Sequence, residues 1–518
     1  MCTCQEGCTQ SVSLQTYKQT MSKRFKINIL FLIAVVALLV SCKKSYLDTP
    51  ATDRIPEEEA LTTTDGCWKL LNGVHRILYS SHLGRQDLVG QGSNMMDMDI
   101  MGDDITISST SDWFLYPYLW LSAHRNPQSA IVYFNYFFYY EIINNVNLLI
   151  DNVNLAKGSE EDKKAILAQA YAYRGWAYFQ MIQLFGKRYD VNDNNTGAGL
   201  RIVLHSQGEV KPRSNVKTVY NHINSDLDSA ILLFNGYKRS NKSHLDKSVA
   251  LGLRARVALT QQDWNMAATM AAAARSSYML MDSTTYMSGF NDYKNTEWMW
   301  GSHQQENQTT YFTSFFAYMS CNFPAQNIIT SPRAIQDSIY RQISRTDVRW
   351  QLWDSTGTNS SFPVPLDAAG KEIGTRIKFM QRKFKVQDPQ LSIGDVPLMR
   401  ASEMYLVEAE AYAQLGNSGA AAKALYEVAK KRDAAYTLST KTGTALLNEI
   451  LFQRRIELWG EGFRFYDLKR LNLPLDRSRH KFLPSYQKSV PAGDIKWQFV
   501  IPQPEIDATS GVVIQNPL

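Results

Sequence analysis

Between Ile166 and Phe185, Tyr171, Gly175, Tyr178 and Ile182 recur at three- and four-residue steps, with alanines set among bulky aromatics. That period belongs to an α-helix with a buried face. Small residues opposite large ones let two helices approach closely, so each such segment demands a partner helix. Val216–Phe234, Leu251–Ser276 and Leu398–Asp433 have the same character, and a further helical stretch spans 445–470. Setting Ala255-Arg-Val-Ala-Leu259 on Ala411-Tyr-Ala-Gln-Leu415 places Asp263 on Gly419 and Ala268 on Ala424. Each copy reads as a helix, a short polar turn and a second Ala-rich helix. The copies lie far apart in the chain, so they are expected to meet in space rather than as sequence neighbours.

Such units look like tetratricopeptide helix pairs. The expected fold class is mainly α: tetratricopeptide-like helical pairs forming a frame, decorated by long aromatic-rich loops with little strand. The repeat-like helices fall near 165–186, 216–276, 398–433 and 445–470, after a first helix near Glu57–Leu78. Loop-rich, ligand-facing regions are expected at 84–130 and 278–396. With 44% apolar and 12% aromatic residues the chain is too apolar to be disordered. A net charge of +6 over 518 residues gives no case for nucleic-acid binding, which needs a clustered basic face.

The first 60 residues have a different logic. Lys23, Arg24 and Lys26 follow Met21 and precede Ile27–Val40, an apolar run broken only by Asn28. At 14 residues this run is short for a membrane span, which takes about 20, and fits a secretory signal. It closes on Ser41-Cys42, an order that resembles the lipobox of bacterial lipoproteins; an ordinary signal peptide containing a Cys, or a short membrane anchor, is the alternative. We therefore divide the chain into a 1–20 upstream extension, a 21–41 lipoprotein signal peptide, a 42–60 tether acylated at Cys42, and a single helical domain over 61–518. Removing 1–41 leaves 477 residues with 51 basic against 48 acidic side chains, and the cysteines Cys42, Cys67 and Cys321. Cys67 and Cys321 are read as two buried thiols, with a disulfide between them as the alternative.

No HExxH, GxSxG or GxxxxGK[ST] motif occurs, and the eight His lack the spacing of zinc ligands. No cofactor is expected. Asp97, Asp99, Asp103 and Asp104 cluster in eight residues of apparent loop. They suit a surface glycosidase only if two face each other across a sugar bond, which sequence neighbours seldom do. Calcium binding and helix capping are the other readings. Asp190, Asn192 and Asn194 alternate like half of a calcium loop but lack its turn Gly and distal Glu, so a solvated turn is favoured.

Aromatic residues are the better site candidates. They make up 12 of the 28 residues in 113–140 and 11 of the 38 in 286–323. Tyr133–Tyr140 is read as a core helix. Trp113, Trp120, Trp298 and Trp300, beside Asp112, Asn126, His303 and Gln304, lie in loop-like sequence. Sugar rings stack their C–H faces on such side chains while polar neighbours bind the hydroxyls. These eight residues are the candidate ligand-binding set.

Five ordered motifs resemble the SusD/RagB family of surface lipoproteins of Bacteroidetes. They are Tyr46-Leu47-Asp48-Thr49-Pro50 after the lipobox; Ala170–Gly186; Asp395-Val-Pro397-Leu-Met-Arg400 with Glu403 and Glu408–Glu410; Arg454-Arg455-Ile-Glu457 through Glu461-Gly462, Arg464, Asp467 and Arg470; and Ile501-Pro502-Gln503 with Gln515-Asn516-Pro517. Lys187-Arg188-Tyr189 departs from the family pattern, and 43–47 lacks the acidic run tied to surface export. Glu457 and Glu461 are expected to form a charged lattice with Arg454 and Arg464 along one helix side; a catalytic Glu pair is the sharper alternative. The resemblance implies a non-enzymatic, outer-membrane, outward-facing protein that binds oligosaccharide and partners a SusC-type TonB-dependent transporter. A peptide ligand is the alternative within the family, and a pure scaffold component without a ligand of its own is another.

Overall fold

The computed structural model describes residues 60–120, 124–305, 311–480, 482–483 and 488–518. The signal segment, Cys42 and the tether lie outside the described residues. Residues Leu61–Leu518 gather into one unit.

The frame consists of α1 (Thr64–Ile77), α2 (Gly90–Ile100), α3 (Ala130–Asn152), α4 (Glu160–Phe185), α5 (Val216–Leu233), α6 (Lys247–Gln261), α7 (Trp264–Arg275), α8 (Ala401–Gln414), α9 (Ser418–Arg432), α10 (Gly443–Glu457) and α11 (Arg464–Arg470). Consecutive long helices pack as antiparallel neighbours: α3 on α4, α4 on α5, α6 on α7, and α8 on α9. Helix α7 also packs on α8, which joins the two repeat units across the long segment between them, as the repeat requires. At the α4–α5 contact a Cβ on Gly175 would lie 3.0 Å from Leu227. Beside it, Arg174 donates two 2.8 Å hydrogen bonds to the Asp226 carboxylate. The small residue thus sets the spacing and the ion pair sets the register.

Local chemistry explains the helix boundaries. Ser159 caps α4 and is followed by Glu160, Glu161 and Asp162, which oppose the positive end of the helix dipole. Asn215 caps α5, Asp246 caps α6, and Lys430, Lys431 and Arg432 close α9. The turns of the two repeat units match closely. Gln262 and Gly416 both take the left-handed conformation, with φ of 62° and 74°. Asp263 N–H then donates to Ala258 O, and Asn417 N–H to Tyr412 O, each at 2.9 Å. Asp263 therefore corresponds to Asn417, two residues before the Gly419 expected from alanine matching. Turn geometry, rather than alanine spacing, sets the register.

Among the described residues the strands form three two-stranded antiparallel sheets. β1 (Ile105–Thr106) pairs with β3 (Ala334–Ile335), β2 (Trp298–Ser302) with β4 (Val396–Arg400), and β5 (Leu475–Asp476) with β6 (Ser489–Val490). Four boundaries differ from expectation. The described part of the first helix starts at Thr64, where Thr63 accepts the Gly66 N–H. Residues 84–130 contain α2, whose residues are all buried, so no polar face marks it as a helix. Residues 398–400 belong to β4 rather than a helix. The 445–470 stretch divides into α10 and α11, because Gly460 and Gly462 take φ of 81° and 86°. A Cβ on Gly462 would also come within 2.7 Å of Met95 Cα.

Candidate functional site

The densest chemistry lies in the interior. Glu457 and Glu461 face not Arg454 and Arg464, as sequence proximity suggested, but cations brought from distant segments. Glu457 is bonded by Arg400 at 2.9 Å, Arg432 at 2.9 Å and Arg349 at 3.1 Å. Glu461 is bonded by Lys383 at 2.6 Å and Arg400 at 2.7 Å. Glu297 joins Arg400 to Arg432. Arg432 also lies 4.3 Å over the Tyr286 ring. Burial alone would raise the Glu457 carboxyl, but Arg432, Arg400 and Arg349 outweigh it and hold the group well below the usual carboxylate range. These side chains are inaccessible to solvent and saturated with partners, which removes the catalytic Glu pair.

The rest of that motif is likewise engaged. Arg454 and Arg470 each bond Asp467 at 2.8 Å, and Arg470 also bonds Glu410 at 2.5 and 2.8 Å. Arg455 pairs with Asp104 at 2.5 Å and Arg464 with Asp103 at 2.6 Å. Asp99 accepts the Gly462 and Arg464 backbone N–H groups, both at 2.9 Å. Asp97 and Asp99 lie on helix α2 rather than on a loop. Three of the four clustered aspartates therefore pin the α10–α11 turn onto α2. Asp97, buried and with Oδ1 unpartnered, has its carboxyl pushed well up by burial and by Asp87. No pair of these carboxylates is left open to flank a sugar bond, which corrects the glycosidase reading.

The eight candidate residues separate. Trp298 and Trp300 are not on a loop: they lie on β2 and are 0% and 1% exposed. Trp300 packs edge-on against Trp176 at 5.3 Å. The cavity that Trp300 reaches measures about 60 Å³, room for waters but not for a sugar ring. Trp120 is buried too, and its Nε1 donates to Met101 O at 2.8 Å. Asp112 forms a buried ion pair with Arg333 at 2.5 Å. Asn126 is exposed and caps the turn at Gln128. Asp395 Oδ1 lies 2.9 Å from His303 Nδ1 and accepts the Gln304 N–H at 3.1 Å, which gives the Asp395-Val-Pro397 motif a local anchoring role.

Trp113 alone of the four tryptophans is open, at 48% exposure. Its ring contacts Tyr318 at 5.9 Å, and its backbone N–H donates to Asn327 at 2.9 Å. Tyr116 is 62% exposed, and Tyr311 and Phe312 are 42% and 40% exposed. Tyr311 and Phe312 contact each other at 4.6 Å, and both lean on buried Phe323. Trp113 thus rests on the same segment, 311–327, that carries Tyr311 and Phe312. Tyr116, Tyr311 and Phe312 lie outside the candidate set because sequence ranks tryptophan over other aromatics; an aromatic pair directly after a polar run, as at 304–312, is the available signal. Tyr133–Tyr140 lies in α3 as expected, with Phe134, Tyr136, Phe138 and Tyr139 buried.

Asp190 is held by Arg188 and by the Asn192 N–H, a turn arrangement that leaves its carboxylate engaged. Among the described residues no group of three His, Cys, Asp or Glu is placed to hold a metal. Cys67 and Cys321 are both buried free thiols, and burial pushes Cys321 up to about 12. No described helix is long and apolar enough to cross a membrane.

Comparison with known proteins agrees with this architecture. A SusD-like carbohydrate binding protein from Bacteroides vulgatus superposes with a TM-score of 0.75 at 25% identity, covering 87% of this chain and 97% of that one. A SusD superfamily protein from Bacteroides thetaiotaomicron gives 0.72 at 22% identity, covering 88% and 100%. Surface glycan-binding protein A from the same organism gives 0.69 at 18% identity, covering 89% and 100%, a likeness of fold. No curated protein matches the sequence. The SusD family model matches residues 150–518, the span that contains the helices from α4 onward, the buried ionic cluster and the 311–327 segment, and the chain belongs to the SusD family.

Proposed function

We propose that the protein is a cell-surface glycan-binding lipoprotein. Acylated Cys42 tethers it to the outer membrane facing outward, and it passes captured oligosaccharide to a SusC-type TonB-dependent transporter. It makes and breaks no bond; transport is driven by differential binding and by release at the partner. The reading rests on family membership together with a SusD-like relative described as carbohydrate binding. The observation that carries it is the set of exposed aromatics, Trp113 seated on Tyr318 and Asn327 with Tyr311 and Phe312 on the same 311–327 segment. Open indole and phenol faces offer the C–H faces of sugars a dry surface at little cost in side-chain entropy.

The test is titration of the purified protein with a panel of labelled oligosaccharides. Trp113→Ala and Tyr311→Ala are expected to weaken the bound glycan, and the glycan is expected to leave the assay uncleaved. Unchanged affinity in both variants overturns the site, and a shortened product overturns the non-enzymatic reading. Co-purification from membranes with a TonB-dependent transporter tests the partner, and metabolic labelling with a fatty acid, lost in Cys42→Ala, tests the anchor.

A further inference from the structure

A cleft of about 520 Å³ opens between α1, the segment 241–244 and the end of β2, and none of the exposed aromatics above lines it. Its wall is polar and basic: Lys69, Arg76, His75, His244 and Ser302 face it, and among the described residues no Asp or Glu does. Arg76 has no ion-pair partner among the described residues. Lys69 pairs only with Asp65, at 2.7 Å on the surface with both side chains more than half exposed, a contact readily exchanged for another anion.

Three buried polar atoms converge here without partners: Ser302 Oγ, His75 Nε2 and His244 Nδ1. Ser302 is 4% and His75 8% exposed, so both line the cleft from just beneath its surface. Three unmet polar atoms around one cleft leave hydrogen-bonding capacity there for a polar ligand. The Tyr173 hydroxyl lies 2.5 Å from His75 Nδ1 and fixes the ring. Burial holds His75 well below its usual value, with His244 adding to the effect, and burial lowers His244 as well. Both rings are therefore neutral near pH 7; with His75 Nδ1 taken by Tyr173, His75 Nε2 and His244 Nδ1 are the ring nitrogens left for a ligand hydroxyl. The His303 ring also lines the cleft and stacks on Tyr293 at 4.3 Å, supplying an aromatic wall.

We propose that this cleft is a second saccharide site, selective for an acidic sugar, with Arg76 and Lys69 taking a carboxylate or sulfate and Ser302, His75 and His244 taking ring hydroxyls. The proposal rests on the glycan-binding reading and names its substrate class. An Arg fork suits either oxyanion, and the hydroxyl-seeking floor favours a sugar over an acidic peptide.

Calorimetric titration of the full mature chain separates the possibilities, using oligogalacturonate, a sulfated oligosaccharide, a neutral oligosaccharide of equal length and oligoglutamate. We expect an acidic saccharide to bind, to lose about tenfold or more in Arg76→Ala, and to keep its affinity in Trp113→Ala. Ser302→Ala, a smaller change inside the cleft, is expected to weaken it severalfold with circular dichroism unchanged. Whether the uronate or the sulfate ester wins identifies the oxyanion. Equal binding of neutral and acidic sugars with no effect of Arg76→Ala overturns this site while leaving the general glycan reading standing. Oligoglutamate binding as tightly as the sugars overturns the saccharide assignment, and failure of every saccharide overturns both readings.

Discussion

The interior around Glu457 and the exposed surface around Trp113 are built on opposite rules. Around Glu457, the charged side chains are buried and bonded to partners contributed by the turn before β2, by β4, α9 and α10 and by the intervening loops. On the surface, aromatic faces are open to water and held mainly from below, Trp113 by Tyr318 and Asn327, Tyr311 and Phe312 by Phe323. The interior contains the motif, and the surface contains almost none. Dense, recognisable sequence here therefore marks the joint that holds loops to helices, and function is sought where the pattern is weakest.

Breaking the joint should have the largest effect. Glu457→Ala leaves Arg349, Arg400 and Arg432 buried beside one another, and a loss of about 3–5 kcal/mol or more is expected, read as insoluble protein or as a lowered denaturation midpoint. Trp300→Ala should cost a similar 3–5 kcal/mol through cavity formation; glycan affinity measured on the folded fraction should not change. A Trp300→Ala protein of normal stability and lost affinity would reverse the assignment of the two tryptophan groups.

Acid should attack the interior next. Burial would raise Asp467, but Arg454 and Arg470 outweigh it and hold its carboxyl down to about 2. A carboxylate with a depressed folded value stabilises the fold above its unfolded pKa, and this contribution disappears as pH falls from about 4 toward 2. The single group amounts to about 2–3 kcal/mol. Glu457, held low by its arginines, acts with the same sign. Urea denaturation at successive pH values should show this loss in the wild type and in Trp113→Ala alike, and a smaller loss in Asp467→Asn measured against its own stability at neutral pH.

Gly462→Ala should cost about 1–3 kcal/mol, since its left-handed backbone and the adjacent Met95 both resist a methyl group. At the small end, Trp113→Ala and Phe312→Ala should leave stability within about 0.5 kcal/mol. Each should still remove about 1–2 kcal/mol of glycan affinity in titration. A destabilised Trp113→Ala would make that ring a loop anchor and erase the contrast between the two regions.

Legibility in the sequence follows the range of the interactions. Helix period, caps and Ala-rich pairs are local, so α4 to α10 and the stacking of the two repeat units could be read directly, with boundaries moved only where a positive-φ turn or a strand intervened. Helix α2 was hidden because burial on all sides erases the amphipathic signal. The lattice partners of Glu457 were hidden because Glu297, Arg349, Lys383 and Arg400 approach it from far along the chain. Trp113 and Trp300 have similar local sequence, with aromatic and polar neighbours; one ends open and the other at 1% exposure because β2 pairs with β4 against α4.

By itself, then, the sequence determined a helical frame of paired units and membership of a recognisable family, since these depend on period, spacing and ordered motifs. Only the tertiary structure decided which aromatics are surface and which are core, which carboxylates are locked in ion pairs, and that a basic cleft forms between α1 and the end of β2. Burial and pairing are properties of what surrounds a side chain, and for these residues the surroundings come from parts of the chain hundreds of positions apart.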